Sequence, residues 1–136
     1  MLAAMSDGIA ELEGIPGAAR ELWQRLVVEP LIPVHKLFAE VRAYQQTIAK
    51  RAREDEDIDP KLGQALCEAS IRLLGTLKDD TPEPTRRMVQ AAVRYFVIED
   101  DADSDLGSIL GLDDDAEVLN AVLERLGYKD WLVKIP

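Results

Sequence analysis

Val34, Leu37, Phe38, Val41, Tyr44 and Ile48 recur at offsets 0, 3, 4, 7, 10 and 14. That spacing lays six apolar side chains along one face of an α-helix and is incompatible with the two-residue repeat of a strand. Pro33 suits the first turn of such a helix, because its missing N–H has no intrahelical partner there anyway. The helix is expected to stop before Asp59, within the run Glu54 to Asp57. Lys50, Arg51 and Arg53 then fall in its last turns, where cations complement the negative end of the helix dipole. The acidic run directly after them favours that account over a basic binding patch.

The same periodicity covers most of the chain. Ser6 is a candidate cap for a short helix to Glu13, and Gly14, Pro16 and Gly17 mark a turn. A helix from about Pro16 to Val28 carries Leu22, Trp23 and Leu26 on one face, and Pro30 and Pro33 break it. Asp59-Pro60 is an N-cap followed by proline at the first helical position. The helix it opens places Leu62, Leu66, Ala69, Leu73 and Leu77 on one face, and Ile71 and Leu74 widen the arc. Thr81-Pro82 repeats the cap signature ahead of a helix to about Ile98, with Met88, Ala91, Ala92, Tyr95 and Phe96 inward and Val89 and Val93 beside them. Arg87 and Arg94 share a face of this helix, which leaves two roles open: a solvated edge, or partners for the acidic loop that follows. Asp113 reads as the cap of a last helix bearing Leu119, Val122, Leu123 and Leu126, with Gly127 just past its end. Trp131, Leu132 and Val133 belong to a final turn that docks on the bundle. No alternating run is long enough for a strand, and no hairpin signal lies between β-branched segments. The expected fold is all-α: one domain over residues 1–136, a compact bundle of about five main helices with short terminal helical segments.

The 136 residues suffice for a core without covalent staples. There is one cysteine, Cys67, and one histidine, His35, which argues against zinc or thiol chemistry. Cys67 sits among apolar helical positions and reads as a small core residue. The lone cysteine and the lack of a signal-peptide pattern make a reducing cytoplasm the expected compartment. No apolar run approaches the ~20 residues of a membrane span. The formal net charge is -10, and it is uneven: residues 1–53 carry seven cations against six carboxylates, residues 54–136 nine against twenty. That balance argues against nucleic acid as a partner.

The acidity peaks in residues 99–115, where eight carboxylates fall within 17 positions. Three readings compete. Asp101, Asp103 and Asp105 have the spacing that opens a calcium loop, and Asp113 could close a loop one residue longer than usual, so these four are the candidate ligands for Ca²⁺ or Mg²⁺. Structurally, Asp105 could cap a short helix over about 106–110, Gly111 could join it to the next, and Asp113 could cap that one with Asp114, Asp115 and Glu117 in its first turn. Paired carboxylates could also do acid–base chemistry in a hydrolase, although no nucleophile or oxyanion donor is evident nearby.

From Tyr95 to about Leu126 the chain resembles the YkvA-like family of small bacterial helical domains. Tyr95, Asp101, Asp105, Gly111, Asp114 and Asp115 keep the register of that family's motif without a gap. Glu99, Ser104 and Ser108 stand where the family has prolines. The resemblance implies a helical hairpin organised around buried or capping aspartates, and it implies no activity. Residues 1–94 are then a helical elaboration.

With no complete catalytic constellation beside five amphipathic helices, the chain reads as a non-enzymatic domain for protein–protein interaction. Its partner would be a protein, with a basic one suiting the acidic charge, or a second copy in a homo-oligomer. The alternative is a divalent-metal module built on residues 99–115.

Overall fold

A proline stands at the N-terminal boundary of three of the five described helices, where the sequence places helix starts. The computed structural model describes residues 9–56, 59–102 and 107–134; the side chains of 99–102 and 107–112 are not described. A 3-10 turn at Gly17–Ala19 runs into α1 (Arg20–Leu26). It is followed by α2 (Val34–Glu54), α3 (Pro60–Gly75), α4 (Glu83–Ala102), α5 (Gly107–Leu126) and a closing 3-10 turn at Lys129–Trp131. No strand is present among the described residues. The all-α expectation therefore holds, as do five main helices.

The helix ends follow local chemistry. Asp59 Oδ1 accepts the N–H groups of Lys61 at 2.9 Å and Leu62 at 3.3 Å, with Pro60 in the first turn of α3. This satisfies donors that the first helical turn otherwise leaves orphaned. At the far end of α5, Gly127 takes a left-handed φ of +89°. The Tyr128 N–H then reaches the Leu123 carbonyl at 2.8 Å and the Gly127 N–H the Glu124 carbonyl at 3.2 Å, a Schellman ending.

Four boundaries differ from expectation. α3 ends at Gly75, so Leu77 lies past it rather than on its face. Thr81 does not cap α4: its hydroxyl accepts the Lys78 N–H at 2.8 Å and so sets the preceding turn, which Arg86 also binds through the carbonyls of Lys78 and Thr81. α4 also runs beyond Ile98 to Ala102. The largest correction concerns Asp113 and Gly111. α5 is one continuous helix from Gly107, so Gly111 lies inside it and Asp113 in its second turn, and the first turn holds no acid. Passing a helix through one glycine costs about 1 kcal/mol, whereas two helices would need a second nucleus and two more sets of unsatisfied ends.

α4 is the centre of the bundle and packs on α1, α2, α3 and α5. It is accordingly buried on almost every side, with Met88, Val89, Ala91, Ala92, Val93, Tyr95 and Phe96 all in the core. Trp23 of α1 is fully enclosed, and its indole N–H donates to the Ile9 carbonyl at 2.8 Å, tying the N-terminal segment down. α2 meets α3 at Gly63, where a Cβ would stand 2.6 Å from Ile48 Cγ2. Only glycine permits that approach. Among the described residues, no helix is long and apolar enough to cross a membrane.

Candidate functional site

Residues 27–33 link α1 to α2, and two prolines prevent regular structure there. The backbone polar groups of this link need partners from elsewhere. They find them on one face of α4, on Arg87 and Gln90; Arg94, on the same face, holds the Glu29 side chain. Gln90 is 3% exposed, and its amide brackets the link: Nε2 donates to the Pro30 carbonyl at 2.9 Å, and Oε1 accepts the Ile32 N–H at 2.7 Å. One turn earlier, Arg87 Nη1 donates to the carbonyls of Glu29 at 2.9 Å and Val27 at 3.3 Å.

One turn later, Arg94 bridges two elements. Its Nη1 lies 2.9 Å from Glu40 Oε1 on α2, and its Nε lies 3.4 Å from Glu29 Oε1 in the link. Burial alone would lower the affinity of this guanidinium for its proton. The hydrogen bond and charge of Glu40, with those of Glu29, outweigh burial and hold it above its ordinary range. Arg87 and Arg94 thus take a role the sequence reading did not offer: they secure the α1–α2 link.

The result is a fixed elbow. Val27 is buried beneath it, while Val28 is 64% and Leu31 42% exposed. These are two of the three large apolar side chains most open to solvent among the described residues.

A similar bracket holds the C-terminal segment. Asn120 of α5 donates from Nδ2 to the Val133 carbonyl at 2.8 Å and accepts the Val133 N–H on Oδ1 at 2.7 Å. Tyr128 and Trp131 stack at 4.4 Å between centroids, and the Arg72 guanidinium lies 5.5 Å from the Trp131 ring centre. This seats Val133 in the core and leaves Leu132 exposed, beside an open groove that Leu62, Ala65 and Arg72 also line.

Of the four candidate metal ligands, only Asp113 has a described side chain. Asp103 and Asp105 lie outside the described residues, and Asp101 falls on helical backbone at the end of α4, with its side chain undescribed. Asp113 is half-buried inside α5. Among the described residues, no group of three or more His, Cys, Asp or Glu could hold a metal ion. Of the motif residues, Tyr95 is buried on α4 and Asp115 is buried on α5, the helix that packs most extensively on it. Gly111 falls on the helical backbone of α5. Asp114 is half-buried, and burial, with the neighbouring charge of Asp113, raises its carboxyl above the usual range.

Cys67 is buried, and burial followed by the charge of Glu68 pushes its thiol up to about 12, so it stays protonated at neutral pH. Its core role is as expected.

Gln90 and Asn120 are the polar residues whose roles sequence reasoning missed. For Gln90 a signal existed: it is the one amide in the run Met88 to Val93, and a proline-broken link elsewhere needed hydrogen bonds. Comparison with protein-family models, curated proteins and solved structures finds no match to the chain.

Proposed function

We propose that this chain is a non-enzymatic protein-interaction domain that acts by docking or self-association. The observation that supports this reading is the elbow at Val28 and Leu31. Two apolar side chains are presented to solvent on a backbone that Arg87 and Gln90 hold in one conformation. An apolar surface fixed beforehand loses little conformational entropy when covered, which favours binding. The polar groups of the α4 face are spent on holding the elbow. This polar cluster therefore serves to position a surface.

A photo-crosslinking amino acid at position 28 or 31, introduced in growing cells, tests this. The expected result is a protein adduct, with a defined partner or with a second copy, that a control at exposed Gln24 does not form. The adduct from position 28 should also disappear when Leu31→Ser is added. Equal labelling at 24, 28 and 31 would remove the support.

A further inference from the structure

Between Leu22 and Arg53 the chain has six Lys and Arg but two carboxylates, Glu29 and Glu40, in a molecule of net charge -10. Arg94 of α4 holds both of those carboxylates, Glu40 at 2.9 Å and Glu29 at 3.4 Å. The outward face of this stretch is therefore cationic. Lys36, Arg42, Lys50 and Arg53 are exposed along α2, with exposed alanines at 39, 43 and 49 between them. At 3.6 residues per turn all of these fall within one arc of about 140°. No carboxylate lies on that arc before Glu54, which ends the helix. Lys36 and Arg42 stand too far from the C-terminal end of α2 to complement its dipole, whose effect is confined to the last turn.

The arc continues the elbow. Leu31 precedes Lys36 by five residues, a reach of at most ~18 Å. On the other side, exposed Arg25 stands one helical turn before Val28. The two exposed apolar side chains are thus flanked by cations along the chain in both directions. From Lys36 to Arg53 the arc runs ~26 Å, about five turns of helix.

We propose that the elbow and the α2 arc together bind an acidic amphipathic helix of another protein, an assignment that rests on the elbow being a docking surface and names its partner. The carboxylates of that helix face Arg42, Lys50 and Arg53, and apolar side chains at one of its ends pack on Val28 and Leu31. The alanines at 39, 43 and 49 let its backbone approach closely. Exposed ion pairs are individually weak, so the apolar anchor supplies the hold, and the charges set register and rate of encounter. The arc has no large apolar or aromatic side chain, which disfavours a membrane surface or stacked bases as the occupant. Either of those would also extend past the arc and meet the acidic remainder of the molecule. In a second copy the acidic side of α5 is not free, because Asn120 there holds Val133 and Ala121 is buried against Gly14.

Fluorescence anisotropy with two labelled helical peptides of about 20 residues tests this. Each carries a row of glutamates on one face, with a pair of leucines at the N-terminal end in one and at the C-terminal end in the other. The expected result is that one of them binds at ~0.1 M salt, and at least about tenfold more weakly at ~1 M, where the screening length falls from ~10 Å to ~3 Å. Arg42→Glu/Lys50→Glu/Arg53→Glu and Val28→Ser/Leu31→Ser should each weaken binding by a similar factor. Lys61→Glu/Arg125→Glu/Lys129→Glu changes the net charge equally at exposed positions elsewhere and should bind as wild type does. Circular dichroism checks that each variant is folded, and Arg42→Gln/Lys50→Gln is a milder version of the first. Binding of neither peptide, equal loss in the two charge-reversed variants, or tighter binding of single-stranded DNA or of phosphatidylglycerol vesicles would overturn the proposal. A crosslink from position 28 that persists in the Arg42→Glu/Lys50→Glu/Arg53→Glu variant would overturn it too, while leaving the elbow as a docking surface.

Discussion

Gln90 Oε1 accepts the backbone N–H of Ile32 at 2.7 Å across 58 residues of sequence. With the second bond, from Gln90 Nε2 to the Pro30 carbonyl, one side chain replaces the two partners that prolines deny this link. Gln90→Leu keeps the volume and removes both bonds. An unsatisfied buried polar group costs about 1–3 kcal/mol, so a loss of about 2 kcal/mol is expected from urea unfolding with unchanged slope. Hydrogen exchange at the Ile32 amide should accelerate more than exchange in α4, because the elbow opens locally.

At Gly63 and Ile48 two helices approach closely. Gly63→Ala would add about 1 kcal/mol of helix propensity, but its Cβ would meet Ile48 Cγ2 at 2.6 Å. Overpacking of this kind costs about 1–3 kcal/mol, so a net loss is expected. The substitution should be less harmful when Ile48→Ala has already made room. A double-mutant cycle on thermal or urea unfolding measures that coupling; strict additivity would contradict the packing described.

Asn120→Ala should free the C-terminal segment. The Val133 carbonyl and N–H lose their partners, and the Tyr128–Trp131 stack loses its anchor. A loss of about 1–2 kcal/mol is expected. A red shift in Trp131 fluorescence should accompany faster proteolysis after Lys129 or Lys134. Trp23, enclosed in the core, would contribute an unshifted background.

Asp114 carries a sign that pH can read. Its carboxyl is raised in the folded protein above the ordinary value of 3.8, by burial first and by Asp113 second. The folded state therefore holds this proton more tightly than the unfolded chain does. Stability from this group is present below pH 3.8 and is lost as the pH rises through the raised folded value. Asp114→Asn should melt slightly higher than wild type at pH 7, and the difference should disappear on acidification. A lower melting temperature at pH 7 would show that the carboxylate is stabilised rather than strained.

Local chemistry sufficed for the helices. Asp59-Pro60 and Gly127 act through groups within a turn of themselves, and the stripe from Val34 to Ile48 needs only the helical period, so all three can be read directly. Asp113 shows where that reading fails. An aspartate before an apolar run is a cap only if the chain is not already helical, and α5 has begun at Gly107. Whether a helix continues through Gly111 turns on the cost of one internal glycine against that of a second helix start, a balance that reading one cap at a time does not weigh.

Residue type and period alone determined the all-α class, the number of main helices, the burial of Cys67 and most of the core. Tertiary structure decided the polar contacts. Arg87, Gln90 and Arg94 could have faced solvent or the acidic segment; the fold brings them to residues 27–33 and Glu40, 54–65 positions away. Helix periodicity records which face of α4 they share and carries no record of what lies opposite. A hydrogen bond depends on position to within a few tenths of an ångström, and packing of the whole bundle sets that position. The same holds for the exposure of Val28 and Leu31 and for the capture of Glu29 and Glu40 by Arg94, which set the surfaces available to a partner.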